Sequence, residues 1–337
     1  MHLTPDFKKQ FQELLRTRIK KKKDWVNELA EILQCSNDAV YKKSRLDSFY
    51  TVDELVTLAK YYSISLDSII LCNNDDVVFS VPNMLEPVRT IENYLNRLQA
   101  TFLNLEHYHD VKIYYASREL PVFYYFLDQR LANFKMYIFA RNIWKLPKFI
   151  DQKYSPDCFS EHLYQRMYCI WQKYASLNSY EYWNSNILDN TLQQIIFYNE
   201  CGELDSLNAN SILDGMENVL QQIRIMAVNS SKKDLSDNFY LFENKILHTS
   251  NHVLVKSKEK NIIYITFDNP NFIYTDNQNF VEYSENWYST IREISYALGA
   301  GSGHNTLSFF NYLVSKIDMV RKRISHNGNT DTALGNN

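Results

Sequence analysis

Apolar residues recur at helical spacing from the start of the chain. Phe7, Phe11, Leu14 and Leu15 share one face of residues 5–19, and Trp25, Val26, Leu29, Ala30 and Leu33 mark a second helix. Ser36 is placed to cap a third helix, its hydroxyl accepting from an orphan amide of the first turn. Thr51, with Glu54 three residues on, has the spacing of a capping box for a fourth, whose inner face is Leu55, Leu58 and Ala59. Ser65 caps a short fifth helix carrying Leu66, Ile69 and Ile70. These elements predict a compact five-helix bundle over residues 1–75.

The polar Asn-Asn-Asp-Asp cluster at 73–76 reads as a break, opening a linker over 76–110. Within it, a long helix is predicted over 84–106. Val88, Ile91, Leu95, Leu98, Phe102 and Leu105 step by alternating threes and fours, an a/d seam. Two readings fit that seam: a coiled coil pairing two chains, or a helix docked on its own domain. From 110 to 248 the pattern stays helical, with starts near Pro121, Pro156, 186 and 210 and a stop at Gly202. "HVLVKSKEKNIIYITF" then alternates and is rich in Val, Ile, Tyr and Thr, predicting two strands joined by a charged turn, with "FIYT" a third. Helices are expected near 284–299 and 305–324, and residues 326–337 read as a disordered polar tail. The predicted fold class is therefore mainly α: a five-helix bundle, a long linker helix, and a helical domain over 111–325 with a small antiparallel sheet near 252–275.

Composition adds to this. The chain has 337 residues, 45% of them hydrophobic, so a sizeable core is available, and only 7 glycines and 7 prolines, which favours helices. The 25 tyrosines read first as packing material. A net charge of -3 conceals an asymmetry: residues 1–23 hold Lys8, Lys9, Arg16, Arg18 and Lys20 to Lys23 against only Asp6 and Glu13. Nucleic-acid contact, if any, belongs near that end. The 5 cysteines form no C-x-x-C pair, which points to reduced thiols in a cytosol. No signal-peptide h-region and no apolar run of membrane-spanning length stands out, so a cytoplasmic protein without membrane contact is expected.

The stretch "LAEILQCSNDAVYKK", residues 29–43, carries the candidate chemistry. A helix-turn-helix needs a small residue in its first helix, and Ala30 fills that place. It needs a tight turn, often with glycine, where this chain has Gln34-Cys35. Val40 supplies the buried residue of the second helix. Ser36, Asn37, Asp38, Tyr41, Lys42 and Lys43 are then placed to meet DNA: asparagine pairs with adenine, and lysine holds phosphate or guanine. Arg18, Lys20, Lys21, Lys22 and Lys23 precede the second helix, whose N-terminal end favours phosphate.

Residues 25–70 resemble the Xre/lambda-repressor-like helix-turn-helix domain, through "WVNELAEILQCSNDAVYKK" and "TVDELVTLAKYYSISLDSII". "IYYASRELPVFYYF", "LANFKMYIFARNIW" and "ALGAGSGHNTLSFFNYL" are similar to segments of a bacterial family of long regulators with this domain at the N-terminus and a helical region of unassigned role. The resemblance implies that residues 36–45 face duplex DNA; with the seam at 83–106 and the helical C-terminal part, the expectation is a transcriptional regulator, a homodimer whose C-terminal part takes a small-molecule or protein effector. No cofactor, no metal and no catalysis is expected.

An interaction protein using the bundle as a docking module is the alternative, of an antitoxin-like or phage-defence kind. A weaker one is a ribonuclease, since Arg321 and His326 have the R-x4-H spacing of HEPN nucleases, histidine serving as base and arginine on phosphate. "HYH" at 107–109 does not share a helix face and lacks a third metal ligand. "GAGSGH" at 299–304 lacks the Lys-Ser/Thr ending of a phosphate loop and reads as a link between two helices.

Overall fold

The structure, a computed structural model, describes residues 5–19, 24–62, 64–70, 76–82, 86–233, 237–246, 251–268 and 270–334. The chain divides into two compact units, the first running to Val78 and including Asn277–Asn279, the second comprising Phe79–Asp276 and the residues from Phe280.

The first unit is the expected bundle: α1 (Pro5–Arg18), α2 (Trp25–Leu33), α3 (Asn37–Ser44), α4 (Val52–Tyr61) and α5 (Leu66–Ile70). Phe11 and Leu15 of α1, Leu29 of α2, Val40 of α3 and Leu58 of α4 are fully buried at its centre. The two capping signals form as read. Ser36 Oγ accepts from the Ala39 amide at 3.3 Å, and Thr51 and Glu54 satisfy each other's backbone amides at 3.3 and 2.7 Å.

The second unit overturns the predicted fold class. Its elements are α6 (Ile91–Leu105), β1 (Lys112–Ser117), α7 (Val122–Tyr125), α8 (Gln129–Ile138), α9 (Pro147–Ile150), α10 (Glu161–Ala175), β2 (Asn178–Trp183), α11 (Asp189–Glu200) and α12 (Ser206–Asn229). There follow β3 (Phe239–Glu243), β4 (His252–Lys256), β5 (Ile262–Asp268), β6 (Asn271–Thr275), α13 (Gln278–Glu293), β7 (Tyr296–Leu298) and α14 (Gly303–Leu334). Among the described residues seven strands form one mixed sheet in the order β6-β5-β4-β1-β2-β3-β7. The small antiparallel sheet expected near 252–275 is only its β4–β5–β6 flank. The centre is parallel, β1 with β2 and β2 with β3.

The helical reading of residues 110–248 misses these three strands because none of them alternates apolar and polar residues along its whole length. "KIYYAS", "NSYEYW" and "FYLFE" are covered on both faces, and a strand buried on both sides has no polar side to show. One face packs on the helical layer through Ile113, Tyr115, Trp183 and Leu241, and the other on α13 through Ala116, Tyr182 and Phe242.

The proposed dimer seam is also corrected. Val88, Ile91, Leu95, Phe102 and Leu105 are buried in this unit's own core, with Leu98 partly buried against it. The a/d stripe docks α6 on the rest of the same chain and is not available to a second copy. The segment from His326, expected as a tail, continues α14 to Leu334. Among the described residues no helix is long and apolar enough to cross a membrane.

Candidate nucleic-acid interface

The turn between α2 and α3 shows how the motif closes without glycine. Gln34 takes the left-handed conformation, φ 50° and ψ 44°. Its amide donates to Glu31 O at 3.3 Å and the Cys35 amide to Ala30 O at 3.0 Å, the paired bonds of a Schellman motif. Gln34 therefore does the work usually left to glycine, at the steric cost of a Cβ in that region.

The chain then enters α3 at its Ser36 cap. Asn37, Asp38, Tyr41, Lys42 and Arg45 are exposed, while Val40, Lys43 and Ser44 are buried. The exposed set repeats at three to four residues, so it forms one ridge along α3 and its first residue beyond. Two contacts with α2 orient that ridge. Asn37 Nδ2 donates to Asn27 Oδ1 at 2.9 Å, which leaves the Asn37 carbonyl and its second N–H outward. The Tyr41 ring meets Trp25 edge-on at 5.9 Å and remains 46% exposed.

Lys43 was expected on this ridge and is not on it. It is 8% exposed, its ammonium 2.6 Å from Glu54 Oε2 and over the Tyr50 ring. Glu54 already closes the α4 capping box, so the pair ties α3 to α4. Burial raises the Glu54 pKa, but hydrogen bonds from Lys43 and Thr51 and the lysine charge outweigh it and hold the carboxyl below its ordinary value. The reason is angular: successive helical residues turn by about 100°, which sends Lys43 inward beside an outward Lys42. Arg45 was missed although it stands one turn beyond Tyr41, at a spacing visible in the sequence.

Of the remaining predicted residues, Ser36 is exposed and spends its oxygen on the cap, and Arg18 is exposed at the C-terminal end of α1. Lys20, Lys21, Lys22 and Lys23 lie outside the described residues. The ridge is not uniformly basic. Asp38 stands among its cations, and Asp47 is exposed just beyond.

The discounted motifs resolve structurally. The Arg321 guanidinium is clasped by Asp214 and Glu217 of α12, each at 2.8 Å, and pins α14 to α12. His109 Nδ1 lies 2.5 Å from Glu259 Oε1. Among the described residues no group of three or more metal-ligating side chains occurs. Residues 299–303 join β7 to α14 rather than two helices, and the Gly299 amide donates to Thr306 Oγ1 at 2.8 Å.

No family model matches the chain, and neither the curated proteins nor the solved structures contain a match to it.

Proposed function

We infer that the N-terminal unit binds duplex DNA by seating α3 in the major groove, and that the chain is a cytoplasmic bacterial regulator of transcription. The observation that carries this reading is the ridge of Asn37, Asp38, Tyr41, Lys42 and Arg45, held outward after a tight left-handed turn. An α-helix fits the major groove, and the ridge offers the groups that work there. Arg45 matches guanine or phosphate, the outer edge of Asn37 matches adenine, and Lys42 matches phosphate. The acid Asp38 accepts from cytosine N4. The α6 stripe has no part in the reading, so any pairing of chains on two half-sites uses another surface.

A second reading has its own observation. Val52 of α4 is 75% exposed, with Val56 one turn on also exposed, an apolar pair suited to a protein partner. In that reading the bundle is a docking module.

Selection of genomic fragments by the purified chain, followed by mobility shift at two salt concentrations, separates the two. DNA binding predicts that Arg45→Ala weakens the selected site roughly tenfold or more. Lys42→Ala is expected to lower the salt slope by about one. Unchanged binding in both variants, or no enrichment of any fragment, leaves the docking reading.

A further inference from the structure

The sheet of the second unit has two edges, and they are finished differently. Along β6 the segment before α6 supplies a partner. The Ser80 amide donates to Tyr274 O at 2.7 Å, and the Tyr274 amide to Ser80 O at 3.0 Å. Phe79 meets the Phe280 ring edge-on at 5.6 Å and holds that segment in place. Along β7 there is no such cover. Tyr296, Ala297 and Leu298 pair with Glu243, Phe242 and Leu241 of β3, and among the described residues no other hydrogen bond reaches their backbone. An edge strand with bare N–H and C=O groups is a template for another strand.

The side chains along this edge are apolar as well. Ile246, Ile294, Tyr296 and Leu307 are 44 to 69% exposed. Asn244 ties Ile246 to the start of β7: its Oδ1 accepts from the Ile246 amide at 3.1 Å, and its Nδ2 donates to Ser295 Oγ at 3.0 Å. Leu307 belongs to the other end of the strand, where the hydroxyl of its neighbour Thr306 accepts from the Gly299 amide at 2.8 Å. A standard interface takes about 800 Å² from each partner, a little over half of it apolar. Four side chains of roughly 150–200 Å², each about half exposed, offer roughly 400 Å². That comes close to the apolar share of one partner. A three-residue strand makes few hydrogen bonds, so most of the energy must come from these side chains.

We propose that two copies of this chain join edge to edge through β7, antiparallel about a two-fold axis at Ala297. Ala297 is exposed and small, so the two copies of it meet without a clash. Leu298 packs on the helical layer, and Tyr296, two residues before it, leaves the strand on that same side. Tyr296 of one copy therefore stands opposite Leu298 of the other. The Ile246 and Ile294 end of one copy meets the Leu307 end of its mate. The pattern is self-complementary, as an isologous contact requires, and this is what favours a second copy over a foreign strand. Because Ser80 occupies the β6 edge, the assembly closes at two copies. The contact is independent of whether the first unit binds DNA.

The test is the mass of the full chain by sedimentation at micromolar to tens of micromolar concentration. A species of twice the 40.0 kDa chain mass is expected. Ile294→Lys and Leu307→Glu, both at exposed positions, should each weaken the dimer roughly tenfold or more with unchanged circular dichroism. The two-fold axis brings the altered ends together, so the double variant should recover most of the loss. Ala297→Cys should form an interchain disulfide on mild oxidation, since facing residues of antiparallel strands stand about 4.5–5.5 Å apart at Cα, within disulfide reach. The parent, with its exposed Cys169 and Cys201, sets the background. A monomer throughout that range, association beyond two copies, or a double variant no tighter than the single ones overturns the proposal. So does a dimer that survives both single variants and leaves the Ala297→Cys thiol unlinked.

Discussion

In the helical bundle Lys43 finds its carboxylate eleven residues away, and the two side chains remain 11% and 20% exposed. In the sheet unit Lys232 and Glu181 come from distant parts of the chain and are both enclosed. Glu181 accepts from Tyr124 at 2.7 Å, Tyr174 at 2.5 Å, Ser179 at 3.1 Å and the Trp183 indole at 3.1 Å. Lys232 donates to Ser179 Oγ at 2.9 Å and Tyr174 O at 3.1 Å, so Ser179 joins the two charges. Burial pushes the Glu181 carboxyl above its ordinary value and the Lys232 ammonium down to about 7, each opposed by the charge of the other. The bundle keeps its buried charge local and near water, and leaves a ridge outside. The sheet unit uses its pair to knit α10, β2 and the segment after α12.

If that contrast is right, the largest effect comes from breaking the enclosed pair. Glu181→Ala strands four donors and an uncompensated ammonium, and should cost about 3–5 kcal/mol in urea unfolding of the sheet unit. A loss below about 1 kcal/mol would place the pair with ordinary surface bridges and erase the distinction.

Lys43→Ala should cost less, about 1–3 kcal/mol in thermal unfolding of the bundle, because Glu54 keeps access to water. The pH dependence follows from the lowered Glu54 pKa. Its stabilising contribution is full above the ordinary value of 4.5 and is lost as pH falls through the lowered folded value. Melting curves of the parent should therefore drop more steeply below that pH than those of Lys43→Ala. Parallel curves would show that the pair contributes nothing.

The smallest effect concerns the turn. Gln34→Gly relieves a left-handed side chain but frees the unfolded chain, for a net gain of about 0.5 kcal/mol. A clear loss of stability would mean that the Gln34 side chain contributes more than its backbone conformation costs.

The bundle was legible because its signals are local. Thr51 and Glu54 announce α4 within four residues, and Val40 marks the inner side of α3. Even there, adjacency misled: Lys42 and Lys43 look alike in a string and point apart on a helix. The α6 stripe was legible as a buried face, but periodicity does not name the surface that buries it, and Leu95 is covered by its own chain. The central strands were not legible. Tyr180, Glu181 and Tyr182 alternate in the sequence, but the acid is enclosed as fully as Tyr182, and an acid in mid-strand argues against burial until its four donors are assembled from α7, α10 and β2.

The order of the strands has a consequence for synthesis. The bundle's last helix ends at Ile70, whereas the outermost strand beside β3 is completed at Leu298. At ribosomal rates of 5–20 residues per second, that interval is roughly 10–45 s. Through it the nascent bundle has every helix it needs, while in its last part, from the completion of β3 at Glu243 to that of β7 at Leu298, the growing sheet shows the open flank of β3. A message truncated before codon 296 would leave that flank permanently bare, an invitation to aggregation from which the first seventy residues are exempt.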